Sequence, residues 1–290
     1  MVGKVIDGKA LAEGIRRRTA EQAARLRENG RPACLAAVLI GGDAAAVSYA
    51  QAQARVAEPI GVEHRLILLP EEATPGEAAA ELDRLNADPA VSGVMLHLPV
   101  PRTLDAFALQ QRIAATKDVE GVSAANLGLL AMGRDALVPC TAAAAFACLQ
   151  STGVDLVGRE AVIIGRSVIV GKPLAMLLLA AHATVTHCHT RTRDLARHTR
   201  RAEILLVAAG SPGLIGAEHV SPGAVVIDIG TNRLEVAGPG GRKMLKTIGD
   251  VRFDEVAPIA GAITPVPGGV GPVTVAMLLA NTVAAAMRGV

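Results

Sequence analysis

Between Arg159 and Gly230 short apolar runs alternate with helix-forming stretches, and no other feature of the chain restricts its fold as much. REAVIIG (159–165), TVTHCH (184–189), EILLVAAG (203–210) and GAVVIDIG (223–230) are rich in β-branched residues and too short for buried helices. Their near-continuous apolarity predicts strands covered on both faces, the condition of a parallel sheet. The intervening KPLAMLLLAAHA (172–183) and the basic stretch after Arg193 supply crossover helices, so the series reads as doubly wound βαβ.

The first half repeats the alternation less sharply. A helix is predicted over 9–29, with Leu11, Ile15, Ala23 and Leu26 on one face, then a buried strand CLAAVLIGG (34–42) ending in a glycine turn. A helix over 44–59, a strand HRLILLP (64–70), a helix over 75–86 and a strand VSGVMLHLP (91–99) follow; 105–138 is less regular. PCTAAAAFACLQSTG (139–153) reads as a helix leading into the second domain. ITPVPGGVGP (263–272) is expected to be a shaped loop, because its prolines remove donors and its glycines loosen the backbone. The apolar tail beyond it is broken by Thr274, Asn281 and Thr282 and reads as a packed helix, not a membrane span.

With 290 residues the chain exceeds one ordinary domain. The expectation is α/β with two domains: a three-layer domain of 1–140 plus 270–290 and a Rossmann-type domain of 141–269. A net charge of +2 gives no field to draw nucleic acid or a membrane surface. Cys34, Cys140, Cys148 and Cys188 lack CxxC spacing, and His182, His187, His198 and His219 lack ligand spacing, so reduced thiols and no metal are expected. MVGKVIDGKALAEGIRRR has no apolar core of signal-peptide kind, which predicts a cytoplasmic protein.

IIGRSVIVGKP (163–173) carries the clearest chemistry. Gly165 permits a tight turn off the strand, Gly171 permits close backbone approach, and the helix from about 172 offers amides to phosphate. The glycines are six apart, so this is not GxGxxG, and a plain strand–helix turn is the competing reading. The next strand ends in His189, Thr190, Arg191, Thr192 and Arg193, with no carboxylate before Asp194 to grip a ribose. With Arg166 and Ser167 these make a cationic, hydroxyl-bearing pocket suited to a 2′-phosphate, favouring NADP over NAD. The competing reading takes Arg191 and Arg193 as solvated surface charges at a helix start.

GRSVIVGKP, VIDIGTNR (226–233), GDV (249–251) and TPVPGGVGPVT (264–274) resemble the signature set of the methylenetetrahydrofolate dehydrogenase/cyclohydrolase family. VIDGKALA near the start, GVMLHLPVP (93–101), TKDVEG (116–121), NLGLL and PCT (139–141) extend the resemblance over nearly the whole chain, in order. It implies a cleft between the two domains with a folate substrate in it, NADP beside the folate, and a homodimer through the Rossmann domain. It also adds Val170, Pro173 and Thr231 to the cofactor side, and Pro267, Gly268 and Gly269 to the substrate side.

The family pattern departs on the folate side. Its YxxxK unit is here Tyr49, the only tyrosine, followed by Gln53; its strand glutamine is His97, its folate-binding aspartate is Glu120, and Asp118 is kept. Val122, Ser123 and Ala124 replace the FHP that usually follows, and Ala142 replaces the proline of PCTP. The resemblance places Tyr49 against the pterin. Gln53 has no titratable proton near neutrality and cannot act as a lysine does. Losing that group costs about 10²–10⁴-fold in a step needing proton transfer. The expectation is NADP-dependent oxidation of 5,10-methylenetetrahydrofolate with weak or absent cyclohydrolase activity. His97 as substitute acid or base, with both activities kept, is the first alternative. A folate- or nucleotide-binding protein without turnover is the second.

Overall fold

The computed structural model describes residues 3–42, 44–237 and 243–289, with backbone alone at 44, 45, 49, 52, 236, 237 and 243. The elements run β1 (Lys4–Val5), α1 (Gly8–Glu28), β2 (Cys34–Ile40), α2 (Ala44–Ala57), β3 (Glu63–Leu69), α3 (Pro75–Ala87) and β4 (Gly93–Leu96). Then come α4 (Ala106–Arg112), α5 (Ala124–Ala131), α6 (Cys140–Gln150), β5 (Glu160–Ile164), α7 (Gly171–Ala180), β6 (Thr184–Cys188), α8 (Leu195–Thr199) and β7 (Ile204–Val207). β8 (Val225–Asp228), β9 (Asn232–Ala237), β10 (Lys243–Ile248), α9 (Phe253–Val256), β11 (Ala262–Ile263) and α10 (Val270–Met287) complete the chain. Two compact units result, one of residues 1–12 with 141–274, the other of 13–140 with 275–290.

The unit formed by 1–12 and 141–274 holds a six-stranded sheet, β1-β11-β8-β7-β5-β6, paired in parallel throughout. The chain leaves β5 toward β6 on one side and returns as β7 on the other, so the strand order reverses at β5. Ile164 lies level with Cys188 and Val207, and Val207 with Asp228, so the loops after these strands emerge together. A crevice at the carboxyl ends beside such a reversal is where α/β sheets bind ligands. Val162, Ile164, Leu205, Val207, Val226 and Ile263 form the buried core on one face. β9 and β10 make a separate antiparallel pair.

The other unit is built on the parallel sheet β3-β2-β4. Every residue of β2 is buried, as its unbroken apolarity requires. Leu35 and Ala37 pack with Leu26 of α1 and with Leu278, Leu279 and Val283 of α10; Cys34, Ala36 and Val38 pack with Leu82 and Leu85 of α3 and Leu109 of α4. These are the three layers. α3 begins with a capping box in which Thr74 and Glu77 exchange hydrogen bonds, with Pro75 in the first turn.

Three expectations change. The N-terminal residues belong with the Rossmann-type unit, because β1 pairs with β11 at its sheet edge. The irregular 105–138 contains α4 and α5, begun by the side chains of Asp105 and Ser123 accepting amides of Ala108 and Asn126. Residues 263–272 are not loop throughout: β11 includes Ile263, and α10 starts at Val270 with Gly271 and Pro272 in its first turn. First-turn amides have no intrahelical acceptor, so a proline there loses nothing.

α10 is long and apolar enough to cross a membrane, and half of its residues are buried. Asn281 lies within it and donates from Nδ2 to the carbonyls of Val119 (2.8 Å) and Val138 (2.9 Å). Its polar interruption is thus satisfied by the sheet unit it completes.

Candidate functional site

At the carboxyl ends of β5, β6 and β7 lies a cavity of about 520 Å³, lined by Gly165, Arg166, Ser167, Thr190, Ala208 and Ser211 among others. Gly165 has φ +111°, a region closed to other residues, and a Cβ there would strike the carbonyl oxygen of Ala208. A Cβ on Gly171 would strike the carbonyl oxygen of Gly165. Glycine at both positions therefore brings strand, loop and helix to a closeness no side chain allows. This fits a backbone that a pyrophosphate must approach.

The loop differs in one respect from the expected phosphate cradle. Ser167 Oγ accepts the amides of Val170 (3.2 Å) and Gly171 (3.5 Å), and its carbonyl accepts the amide of Lys172. The first amides of α7, those of Gly171 and Lys172, are thus held by the loop's own serine. Val170 and Pro173 are buried at the start of α7.

After β6 the chain turns tightly: His189 donates its amide to Thr192 Oγ1 (2.9 Å), and Arg191 donates its amide to His189 Nδ1 (3.1 Å). Thr190 and Thr192 line the cavity; Arg191 is exposed and does not line it. The first carboxylate after β6, Asp194, accepts the amide of Arg197 and caps α8. No acid in this turn is left to select an unphosphorylated ribose. Thr231 is exposed ahead of β9, outside the lining. Gly268 has φ +108°, and a Cβ on Gly269 would strike the Pro265 carbonyl and the Thr264 side chain. The Val266–Pro267 bond is cis.

In the sheet unit, Val94 and Asp118 form a parallel bridge, and the Glu120 carboxyl two residues on is hydrogen-bonded to the backbone of Leu96. Burial pushes the Glu120 carboxyl up to about 7; the nearby Asp118 charge adds to this and the Leu96 amide opposes it. His97 is 8% exposed and its pKa is lowered, first by burial and then by His64 on β3. Both effects favour its neutral imidazole. Asp118 is fully buried, and its Oδ2 accepts the Ser123 amide (2.7 Å) and Asn126 Nδ2 (3.0 Å). It fixes the turn carrying Glu120.

Tyr49 and Gln53 lie one turn apart on α2; the Tyr49 side chain is outside the described residues. Gln53 Oε1 is buried with no hydrogen-bond partner among the described residues. A buried orphan acceptor is costly unless a ligand donor meets it, which fits a position facing substrate. Lys117 is no substitute for the missing lysine. Its Nζ is spent on the carbonyls of Leu85 (3.1 Å) and Asp88 (2.7 Å).

Two residues escape a reading from sequence. Asn126 ties Ala115, Asp118 and Leu137 together, and Asp250 gathers donors from two segments, 209–211 and Asn232. Neither sits in a composition or spacing that marks it; NLGLL, which begins at Asn126, and GDV, which contains Asp250, carry the resemblance without assigning either residue a role. Among the described residues no group of three or more His, Cys, Asp or Glu could hold a metal ion.

Comparison with known proteins agrees along the whole chain. Residues 6–120 match the catalytic-domain model of tetrahydrofolate dehydrogenase/cyclohydrolase, and 139–290 match its NAD(P)-binding domain. "Bifunctional protein FolD 1" of Rubrobacter xylanophilus is 48% identical over 285 residues, 98% of each chain. The FolD of Moorella thermoacetica is 45% identical over 99% of this chain and 100% of its own. The crystal structure of the bifunctional FolD of Campylobacter jejuni superposes with TM-score 0.92 at 39% identity, covering 99% of both chains. The Trypanosoma brucei enzyme, solved with NADP and an inhibitor, gives 0.91 at 36% identity, covering 99% of this chain and 98% of its own.

Proposed function

Since the chain belongs to the tetrahydrofolate dehydrogenase/cyclohydrolase family, we propose that it oxidises 5,10-methylenetetrahydrofolate with NADP and has lost most of the hydrolytic second step. The nicotinamide supplies the hydride acceptor when bound. Gly165, Arg166, Ser167, Val170, Gly171, Pro173, Thr190, Arg191 and Thr231 hold the cofactor in this reading. Arg166 and Arg191 answer the 2′-phosphate, and Asp194, committed as a cap, leaves no ribose-gripping acid in that turn. NADP is therefore preferred to NAD.

On the folate side Tyr49, Asp118, Glu120, Pro267, Gly268 and Gly269 bind and orient the substrate. Hydride loss from the methylene carbon leaves a cation shared by two nitrogens, so this step needs positioning more than proton transfer. Hydrolysis differs: water must lose a proton and a ring nitrogen must gain one. Gln53 can do neither. That single replacement carries the proposal.

The relatives are described as bifunctional, which favours a second reading, in which hydrolysis survives with the His97 imidazole as substitute acid or base. A homodimer, on the family pattern alone, and a cytoplasmic location complete the reading. An absorbance time course of the protein with methylenetetrahydrofolate and NADP separates the two. NADPH and methenyltetrahydrofolate rising in step, with methenyl decaying no faster than an enzyme-free control, is the expected result. Accelerated loss of added methenyltetrahydrofolate overturns it and makes His97→Ala the next variant.

A further inference from the structure

Asp250 is fully buried just beyond β10, and both its carboxylate oxygens are saturated with donors. Oδ2 accepts the amides of Ala209 (2.7 Å) and Gly210 (2.9 Å); Oδ1 accepts the amide of Ser211 (2.8 Å) and Nδ2 of Asn232 (2.9 Å). Ala209 and Ser211 belong to the cavity wall after β7, facing the loop whose Gly165 leaves room only for the Ala208 carbonyl. Three consecutive amides turned to one buried carboxylate fix the course of that wall.

A second carboxylate stands behind the first. Asp228, at the end of β8, accepts the amides of Gly230 (3.0 Å) and Asp250 (3.1 Å) on Oδ1 and that of Val251 (2.9 Å) on Oδ2. A Cβ on Gly249 would strike Asp228, and one on Gly230 would strike Asp250. The two glycines close the turn around the two acids. Asp228 therefore sets the backbone that carries Asp250, and Asp250 sets residues 209–211.

We propose that Asp250 is a positioning residue for the dinucleotide: its carboxylate holds segment 209–211 in the shape that binds NADP. The inference rests on reading this cavity as the NADP site. Asparagine is no equivalent, because four donors converge and an amide offers one acceptor oxygen while presenting its own N–H groups to backbone N–H groups. Losing one carboxylate oxygen turns donors against donors and releases part of the wall.

The test is the Kd for NADP of wild type and Asp250→Asn, measured by calorimetry without folate on protein verified as folded by circular dichroism. The expected rise is about 10–100-fold, the range seen when residues that orient metal ligands are removed. KM for NADP should rise with it, while kcat at saturating NADP and KM for the folate change by less than about threefold. A purely structural role predicts the reverse, fewer active molecules with Kd unchanged, and that result overturns the proposal. Should Asp250→Asn not fold, Asn232→Asp decides: it sets a like charge against the Asp250 carboxylate at a half-buried position. Unchanged Kd in that folded variant also overturns the proposal. No NADP binding by wild type rejects the cavity assignment, and the proposal falls with it.

Discussion

A single side chain decides the chemistry proposed for this chain. Gln53→Lys returns a titratable group to the turn after Tyr49, and cyclohydrolase activity is expected to rise about 10²-fold or more with hydride transfer little changed. Methenyltetrahydrofolate decay against the enzyme-free rate checks it. Glu120 gives a second test. Its carboxyl is raised by burial from 4.5 to about 7, so the folded chain holds a proton that the unfolded chain has released between those values. The stability this group contributes is fully present below pH 4.5 and is lost as pH rises through about 7. Chemical denaturation at pH 5 and pH 8 should therefore show a difference that Glu120→Gln removes. Neither Gln53 nor Glu120 needed the structure to be noticed, because both replace residues of a recognised motif. The burial that raises Glu120 did.

Elements follow the chain's local chemistry closely where burial is two-sided. β2, β5, β7 and β8 lie in the uninterrupted apolar runs, and α3 starts at the Thr-Pro-Gly-Glu that signals a capped helix. Legibility fails for β1 and β11, two residues each, whose strand character comes only from each other and from β8. It fails again for α4 and α5, short helices whose caps are ordinary Asp and Ser. The strand-to-helix approach at β5 and α7 makes a prediction. Gly171→Ala drives a methyl into the Gly165 carbonyl, an overpacking that should cost about 1–3 kcal/mol of stability and weaken NADP binding. Urea unfolding and NADP titration measure the two effects.

For the molecule as a whole, α10 shows how a distant segment completes a unit. Asn281→Ala leaves the carbonyls of Val119 and Val138 without their donor, and should destabilise by about 1–3 kcal/mol. A lower urea midpoint with unchanged NADP affinity is the expected pattern, since those contacts lie in the sheet unit and the cavity proposed for NADP lies in the other. The α/β class, the order of parallel strands and helices, and the glycine loop after β5 were all written in local patterns: apolar runs, helical spacing and residues that permit particular backbone angles. The partner of β1, the commitment of Ser167 and Asp194 to capping, the burial of Asp118 and the gathering of donors by Asp250 were not. Each depends on which distant segment arrives beside it, and a hydrogen bond across 18 residues, as from Asn232, or 41, as from Ala209, leaves no periodicity in the chain that makes it.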